Sequence, residues 1–401
     1  MATPTLTCVD GFEMQSLSNN GAIWSGAPPS TCTIDTTVAR TGAASLKVAM
    51  DAVTVSNVQR NVPTAATVLV GSVYFRVVSA PSVTSNVLVG LGPASNKPLF
   101  QVDTGGLIQS GIGGINGPNI ADGLWHKLDF RFTSDTTHSV EWYVDGRQQT
   151  TGSIGAQTST AMTSIQFGSA NAAHTATIWF DDFILSNTSA DYPLLPSAFG
   201  EVADGYSVRQ IVPNADGTHN AGTNVMERQS DGADIGVVTA WDMLDEWPAV
   251  TTTSDTINQA VIGTTNYAEV SFPNTVAADK SIWGASGCLA YSAVTTTACT
   301  GSTLMSFDGF ATELSVYGTS TVPVDMSETS LFFKNVAFAA PGGGWLTSTI
   351  DAATCRIGYS GDATPDPLWN AVAIQYVATD QGRGRPSPSQ ARQAVKRASV
   401  F

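Results

Sequence analysis

The acidic pair most able to do chemistry is Glu141 and Asp145, in the run Glu141-Trp-Tyr-Val-Asp145. Glycoside hydrolysis needs two carboxyl groups held a few ångströms apart, one to attack or activate water and one to carry the proton. Alternation puts Glu141 and Asp145 on one strand face, but Asp145 begins an Asp-Gly turn, so a solvent-facing charge and a turn residue are expected instead. Nucleophilic catalysis has no better candidate. The chain contains no Gly-x-Ser-x-Gly elbow, and His126, His138, His174 and His219 are scattered without metal-ligand spacing. The glycine-rich stretches 111–117 and 341–345 do not lead into helices, so they read as loops, not phosphate cradles. Trp24, Trp125, Trp142 and Trp179 could serve as sugar-stacking platforms, although Trp142 alternates inward and tryptophan in a sandwich is mostly core.

The elements that would position these residues are short strands. In Trp125-His-Lys-Leu-Asp-Phe-Arg-Phe132 the apolar Leu128, Phe130 and Phe132 alternate with Lys127, Asp129 and Arg131, the period of a half-buried strand. The run 139–146 alternates likewise and turns at Asp145-Gly146. Further strands are expected at 45–50, 68–78, 86–91, 98–102, 164–167 and 176–185, and after a proline-interrupted stretch at 206–212, 267–272, 310–317, 330–338 and 371–377. One helical turn or a short helix is expected over 239–247, ended by Pro248. Many antiparallel strands with no helical period between them predict an all-β protein of two tandem antiparallel β-sandwich (jelly-roll) domains with a short basic C-terminal arm. The boundaries are 1–187 for the first sandwich, 188–200 for a linker, 201–380 for the second sandwich and 381–401 for the arm.

Composition supports this frame. Only 13% of the 401 residues are charged and 37 are glycine, which argues against a helical bundle, while recurring aromatic and β-branched residues argue against whole-chain disorder. The net charge is −15. Five of the 18 cations, Arg383, Arg385, Arg392, Lys396 and Arg397, lie beyond residue 382 with no acid, which leaves 13 cations against 33 acids, a net −20, in the body. Such a body would repel nucleic acid, and the arm reads as a docking segment for an acidic protein partner. No apolar run of about 18 residues is present to cross a bilayer, and the first eight residues resemble no secretory signal. Cys8, Cys32, Cys288, Cys299 and Cys355 show no zinc spacing. Cys8 with Cys32 and Cys288 with Cys299 are placed to form disulfides, with reduced buried thiols as the alternative; Cys355 reads as core.

The segments Val9-Asp-Gly-Phe-Glu13, Arg40 to Val48, Gly123 to Phe130, Trp142-Tyr-Val-Asp-Gly146 and Ile178-Trp-Phe-Asp-Asp-Phe183 occur in an order that resembles the concanavalin A-like lectin/glucanase superfamily, in its LamG-like and jelly-roll carbohydrate-module forms. The resemblance covers about residues 5–187. The part from Val208 to Ala378 resembles the second half of minor tail and virion structural proteins of tailed phages. Retaining glucanases of the superfamily carry a Glu-x-Asp-x-(x)-Glu strand, which this chain lacks, so the resemblance implies a binding protein and not an enzyme. It also implies a structural calcium tying the first strand to the last through Asp10, Glu13, Asp181 and Asp182, with no other cofactor. The resulting expectation is a tailed-phage virion protein (minor tail, fibre or decoration). It would be assembled in the host cytoplasm, exposed after lysis, oligomeric and plausibly trimeric, and would present its lectin-like sandwich for host-surface attachment through a glycan. Its partners would be other virion proteins, with no nucleic acid and no membrane. The alternatives are a carbohydrate-binding adhesin and a polysaccharide depolymerase.

Overall fold

The computed structural model describes residues 4–13, 17, 24–25, 30–92, 96–169, 171–194, 206–219, 226–228, 233–234, 240–245, 256–259, 266–273, 276–277, 280–293, 299–322, 324–326, 331–341, 344–359 and 367–380. Among them the chain forms four antiparallel sheets, with two 3₁₀ turns and one five-residue helix, Thr347–Asp351. The protein is thus all-β, built as sandwiches.

The first sandwich has a nine-stranded sheet. Its path runs through Arg147–Gln148, His138–Val144, Trp125–Thr133, Val68–Val77, Thr177–Ser186, Ser45–Ala49 and Cys32–Asp35. Leu6–Asp10 joins it beside Thr177–Ser186, and Gly152–Ile154 beside His138–Val144. The seven-stranded partner sheet centres on Ser85–Leu91, Met162–Ser169 and the eleven-residue strand Ser56–Ala66. Alternation decides which side chains meet between the layers. Leu69, Val73, Phe75 and Val77 point inward from one strand and Leu128, Phe130 and Phe132 from the next, all fully buried. Rings interlock across the layers, with Phe167–Phe180 centroids at 4.7 Å and Phe100–Trp142 at 5.4 Å, so Trp142 is core as its phase predicted. Gly71 leaves room for the Phe130 ring, because a Cβ there would lie 2.3 Å from Phe130 Cζ.

The second sandwich pairs a six-stranded sheet containing Tyr267–Ser271, Thr354–Gly358 and Thr300–Ser306 with a seven-stranded sheet carrying two long strands, Lys280–Ala293 and Pro367–Asp380. These long strands are buried on both faces, because the first sandwich sits on the outer one. Leu6–Asp10 packs against Lys280–Ala293 and Phe332–Ala337, and Cys8, Phe12 and Trp24 share one apolar cluster with Cys288, Ala290, Phe333, Ala371 and Ala373. The approach is close enough that a Cβ on Gly284 would meet Leu6 Cδ1 at 2.6 Å.

Several expectations change. At 239–247, of the single turn or short helix expected there, the described residues form the single turn, a 3₁₀ turn at Trp241–Met243. The strand expected from 310 starts at Leu314, since Phe310 sits in a left-handed turn at φ +65°. All five cysteines are free and buried. Cys288 faces the first sandwich from mid-strand and accepts a bond from Asn335 Nδ2, whereas Cys299 lies in the second core and bonds the Met326 carbonyl, so the two thiols serve different clusters. Burial pushes the Cys8 and Cys32 thiols up to about 12, which keeps them protonated and unreactive. Within the segment expected as a linker, Ser189–Asp191 forms a 3₁₀ turn and Leu194 is fully buried.

Gly71→Ala is expected to destabilise the protein by about 1–3 kcal/mol through the clash with Phe130, measured as a lowered urea midpoint; an unchanged midpoint would show that this inter-sheet approach is not tight.

Candidate functional site

The Thr177–Ser186 strand changes neighbour halfway along. Thr177–Phe180 pairs with Ser45–Ala49, Phe183–Ser186 pairs with Leu6–Asp10, and between them the register shifts at a bulge where Asp182 adopts φ +49°. Backbone donors left over near the bulge are taken by carboxylates. Asp181 Oδ2 accepts from the Arg40 amide at 2.8 Å and the Thr41 amide at 3.2 Å, and Asp181 Oδ1 from the Asp182 amide at 2.7 Å. Asp182 Oδ2 pairs with Arg40 Nη1 at 2.5 Å, while Oδ1 accepts from Thr41 Oγ1 at 2.8 Å and from the Val208 amide at 2.6 Å. Arg40 Nη1 also donates to the Tyr206 carbonyl at 2.8 Å, its guanidinium lies 3.4 Å from the Tyr74 ring centre, and Tyr206 Oη donates to the Asp182 carbonyl. Glu13 accepts the Ala43 amide at 3.0 Å, and Asp10 accepts the Phe12 amide at 2.8 Å and faces Arg60 at 3.5 Å.

These are the four acids that the resemblance assigned to calcium. The structure gathers them at one end of the sandwich, but the donor set does not fit the ion. Two guanidinium groups, backbone N–H groups and a hydroxyl already occupy their oxygens, and no group of three or more ligating side chains is arranged for a metal among the described residues. Protein donors hold the first strand to the last here.

A second polar chain crosses between the sandwiches. Arg60, 5% exposed, donates to Asn335 Oδ1 at 3.2 Å; Asn335 Nδ2 reaches Gln375 Oε1 at 3.2 Å, and Gln375 Nε2 reaches Gln210 Oε1 at 3.2 Å. Buried polar groups are tolerated because each is partnered, and the partnering fixes how the two units meet.

The outer face of the nine-stranded sheet divides in two. On its open half, strand register places Thr33, Lys47, Trp179, Arg76 and Trp125 side by side across five strands. Thr33 is exposed and the other four are half-buried. Lys47 Nζ and Arg76 Cζ, from the two neighbouring strands, each lie over the Trp179 ring, 5.5 Å from its centre. Trp179 Nε1 donates to Asp35 Oδ2 at 2.9 Å, which fixes the indole, and Arg76 Nε donates to the Gly123 carbonyl at 2.7 Å. Two residues further along the strands, Tyr74, Lys127 and Asp129 lie beneath Tyr206 and Tyr192. Tyr74 and Tyr206 ring centres are 5.4 Å apart, Lys127 pairs with Asp129 at 3.1 Å, and Arg131 lies 5.0 Å from the Tyr192 ring centre. Ser72 Oγ, Tyr74 Oη, Asp129 Oδ1 and Tyr192 Oη are buried there with no hydrogen-bond partner of good geometry among the described residues.

The remaining candidates are dispersed. Glu141 pairs with Arg131, whereas Asp145, at φ +50° in its turn, binds His126 Nδ1 at 2.8 Å and the Lys127 amide at 2.8 Å, so the pair does not converge. His126 Nε2 also meets Asp122 at 3.0 Å; burial works against its charge, but the bonds to Asp145 and Asp122 prevail and raise its pKa. His138 packs on Phe132, and the Nδ1 atoms of His174 and His219 accept the Asn86 and Glu269 amides. Of the four tryptophans considered, Trp24 and Trp142 are core and Trp125 and Trp179 line the open face. Lys47 and Arg76 escaped sequence reasoning, since their meeting with Trp179 depends on pairings between distant strands. The arm cations Arg383, Arg385, Arg392, Lys396 and Arg397 lie outside the described residues.

Burial pushes the Glu13 carboxyl up to about 7, and burial together with the Asp182 charge raises Asp181. Both groups hold protons more tightly folded than unfolded, so their contribution to stability is full at pH values below the ordinary carboxylate range and is lost as pH rises, for Glu13 through about 7. The melting temperature is therefore expected to fall between pH 5 and pH 8, and Glu13→Gln to reduce that fall; an identical slope in the variant would contradict the assignment.

No family model and no curated protein sequence matches the chain. Among solved structures, the cellulose-induced protein Cip1 aligns at 18% identity and a TM-score of 0.35, over 45% of this chain and 97% of its own. An endo-β-1,4-glucuronan lyase from the fungus Trichoderma reesei aligns at 15% identity and a TM-score of 0.34, over 42% and 91%. The alginate lyase Aly36B aligns at 11% identity and a TM-score of 0.33, over 47% and 100%.

Proposed function

We propose that this chain is a non-enzymatic glycan-binding protein built for display, and that its setting is the tailed-phage virion implied by the sequence resemblance. The observation that carries the binding function is the row Lys47–Trp179–Arg76–Trp125 on the open half of the nine-stranded sheet. Indole faces stack on the C–H faces of pyranose rings, and charged donors beside them take the hydroxyl or acid oxygens that a sugar presents at its rim. Trp179 and Trp125 stand two strands apart, about 10 Å, which fits two sugars one unit removed from each other on a glycan lying across the strands. The indole bond to Asp35 fixes the ring before ligand arrives, which lowers the ordering cost of binding. A single such row gives weak affinity, and several copies on one particle, as in a trimer, would multiply it. In this reading Arg383, Arg385, Arg392, Lys396 and Arg397 dock the chain on an acidic virion partner, leaving the row facing outward.

A second reading, a polysaccharide-cleaving enzyme, is favoured by one observation: Ser72, Tyr74 and Asp129 bury polar atoms that lack a well-aligned partner among the described residues, beside Lys127 on the same sheet face. A reducing-end assay on any polymer the protein binds separates the two, since release of new ends would establish cleavage and overturn the non-enzymatic assignment.

Trp179→Ala is expected to weaken binding on a glycan array by roughly thirtyfold, the loss typical of an aromatic anchor, with the melting temperature little changed. Retained binding in this variant would remove the row from the function.

A further inference from the structure

We infer that the ligand of this row is an acidic glycan, one that can present carboxylate or sulfate groups about 10 Å apart along the chain. The inference rests on the glycan-binding reading above and adds the chemical class.

It follows from which cations are neutralised and which are not. The chain has 33 acids for 18 Lys and Arg, so an unpaired cation stands against a strong excess of carboxylate. Around the nine-stranded sheet the other inward-turned or covered cations have acidic partners: Arg40 with Asp182, Arg60 with Asp10, Lys127 with Asp129 and Arg131 with Glu141. Lys47 and Arg76 have none among the described residues. Among the described residues Arg76 donates through Nε, to the Gly123 carbonyl, which leaves its terminal nitrogens for a planar two-oxygen anion. Of the acids near the row among the described residues, Asp35 makes no ion pair with Lys47 and Asp122 is bonded to His126. Asp35 Oδ2 takes the Trp179 indole, and its Oδ1 takes the Thr37 amide and hydroxyl and the Val38 amide. Asp35 thus orients the ring through its indole bond, and Lys47 forms no ion pair among the described residues.

The order of the row gives the spacing. Lys47, Trp179, Arg76 and Trp125 occupy successive strands, so cations alternate with aromatic faces and like groups stand two strands apart. A glycan lying across the strands would place a ring on Trp179 with an anionic group on Lys47 or Arg76 at either side. Both cations already lie 5.5 Å from that ring, and a stacked sugar would exclude water from them and strengthen the charge contacts. A neutral glycan would use the rings and leave both charges idle.

The test uses the full chain with four soluble polymers: polygalacturonate, the same backbone fully methyl-esterified, dextran sulfate and dextran. Expected are binding to polygalacturonate, to dextran sulfate or to both, with the pair reporting whether carboxylate or sulfate is preferred. Binding should be at least about tenfold weaker for the esterified polymer and for dextran. Lys47→Gln with Arg76→Gln should weaken acidic-polymer binding about tenfold or more and flatten its salt dependence, while Arg147→Gln, an exposed cation elsewhere on the sheet, should change nothing. Trp179-dependent binding that is equally strong to the neutral polymers would overturn the acidic assignment and leave the glycan-binding reading standing. Equal loss with Arg147→Gln would show non-specific charge attraction and overturn it too. Absence of Trp179-dependent binding to all four would take down both readings.

Discussion

Two adjacent carboxylates buried in one strand can persist only if donors and cations surround them, and the fold answers that requirement at Asp181 and Asp182. The bulge there lets one strand serve two partners, Ser45–Ala49 on its first half and Leu6–Asp10 on its second. The loop carrying Arg40 and Thr41 fills the gap, and Val208 and Tyr206 from the beginning of the second sandwich close it. Removing one member would leave a buried charge uncompensated, which costs far more than a surface pair is worth. The same knot therefore holds the first strand, the bulge and the second sandwich. It does with arginine and amide donors what an ion does in other proteins.

The consequences reach the open face. The bulge comes directly after Phe180, so the half-strand that carries Trp179 keeps regular pairing with Ser45–Ala49 and Val68–Val77, and its alternation holds Trp179 outward between Lys47 and Arg76. Beyond the bulge the same face is closed over by Tyr192, Leu194 and Tyr206, which pack with Val9, Val70, Tyr74 and Ile184. One sheet thus offers an open polar and aromatic half and a covered half joined to the second sandwich. A rigid mount and a preorganised row suit display better than they suit an opening and closing cleft.

How far this was legible in the sequence depended on whether one face of a strand met water. Trp125–Thr133 and His138–Val144 show plain alternation because their outer residues are polar, and both were found. Lys280–Ala293 was missed, since burial on both faces replaces alternation with a run of Gly, Ala and Ser that resembles a loop. Ser56–Ala66 was missed because Asn57, Gln59 and Asn61 dilute its apolar phase and Pro63 interrupts it. The sequence order points to Asp10, Glu13, Asp181 and Asp182 as a set, but Arg40 and Arg60, which pair with Asp182 and Asp10, carry no local pattern that marks them as their partners. The tryptophans could be named as platforms from the sequence. Their alternation with Lys47 and Arg76 requires three strand registers, among residues up to about 130 positions apart, that no local pattern encodes.

The account stands most directly on where a ligand lies. A crystal structure of the full chain soaked with trigalacturonate tests this. The account predicts sugar density crossing the strands over Trp179, with carboxylates on Lys47 and Arg76. Density confined to the loops at the ends of the sandwich, or running parallel to the strands away from Trp179, would contradict it.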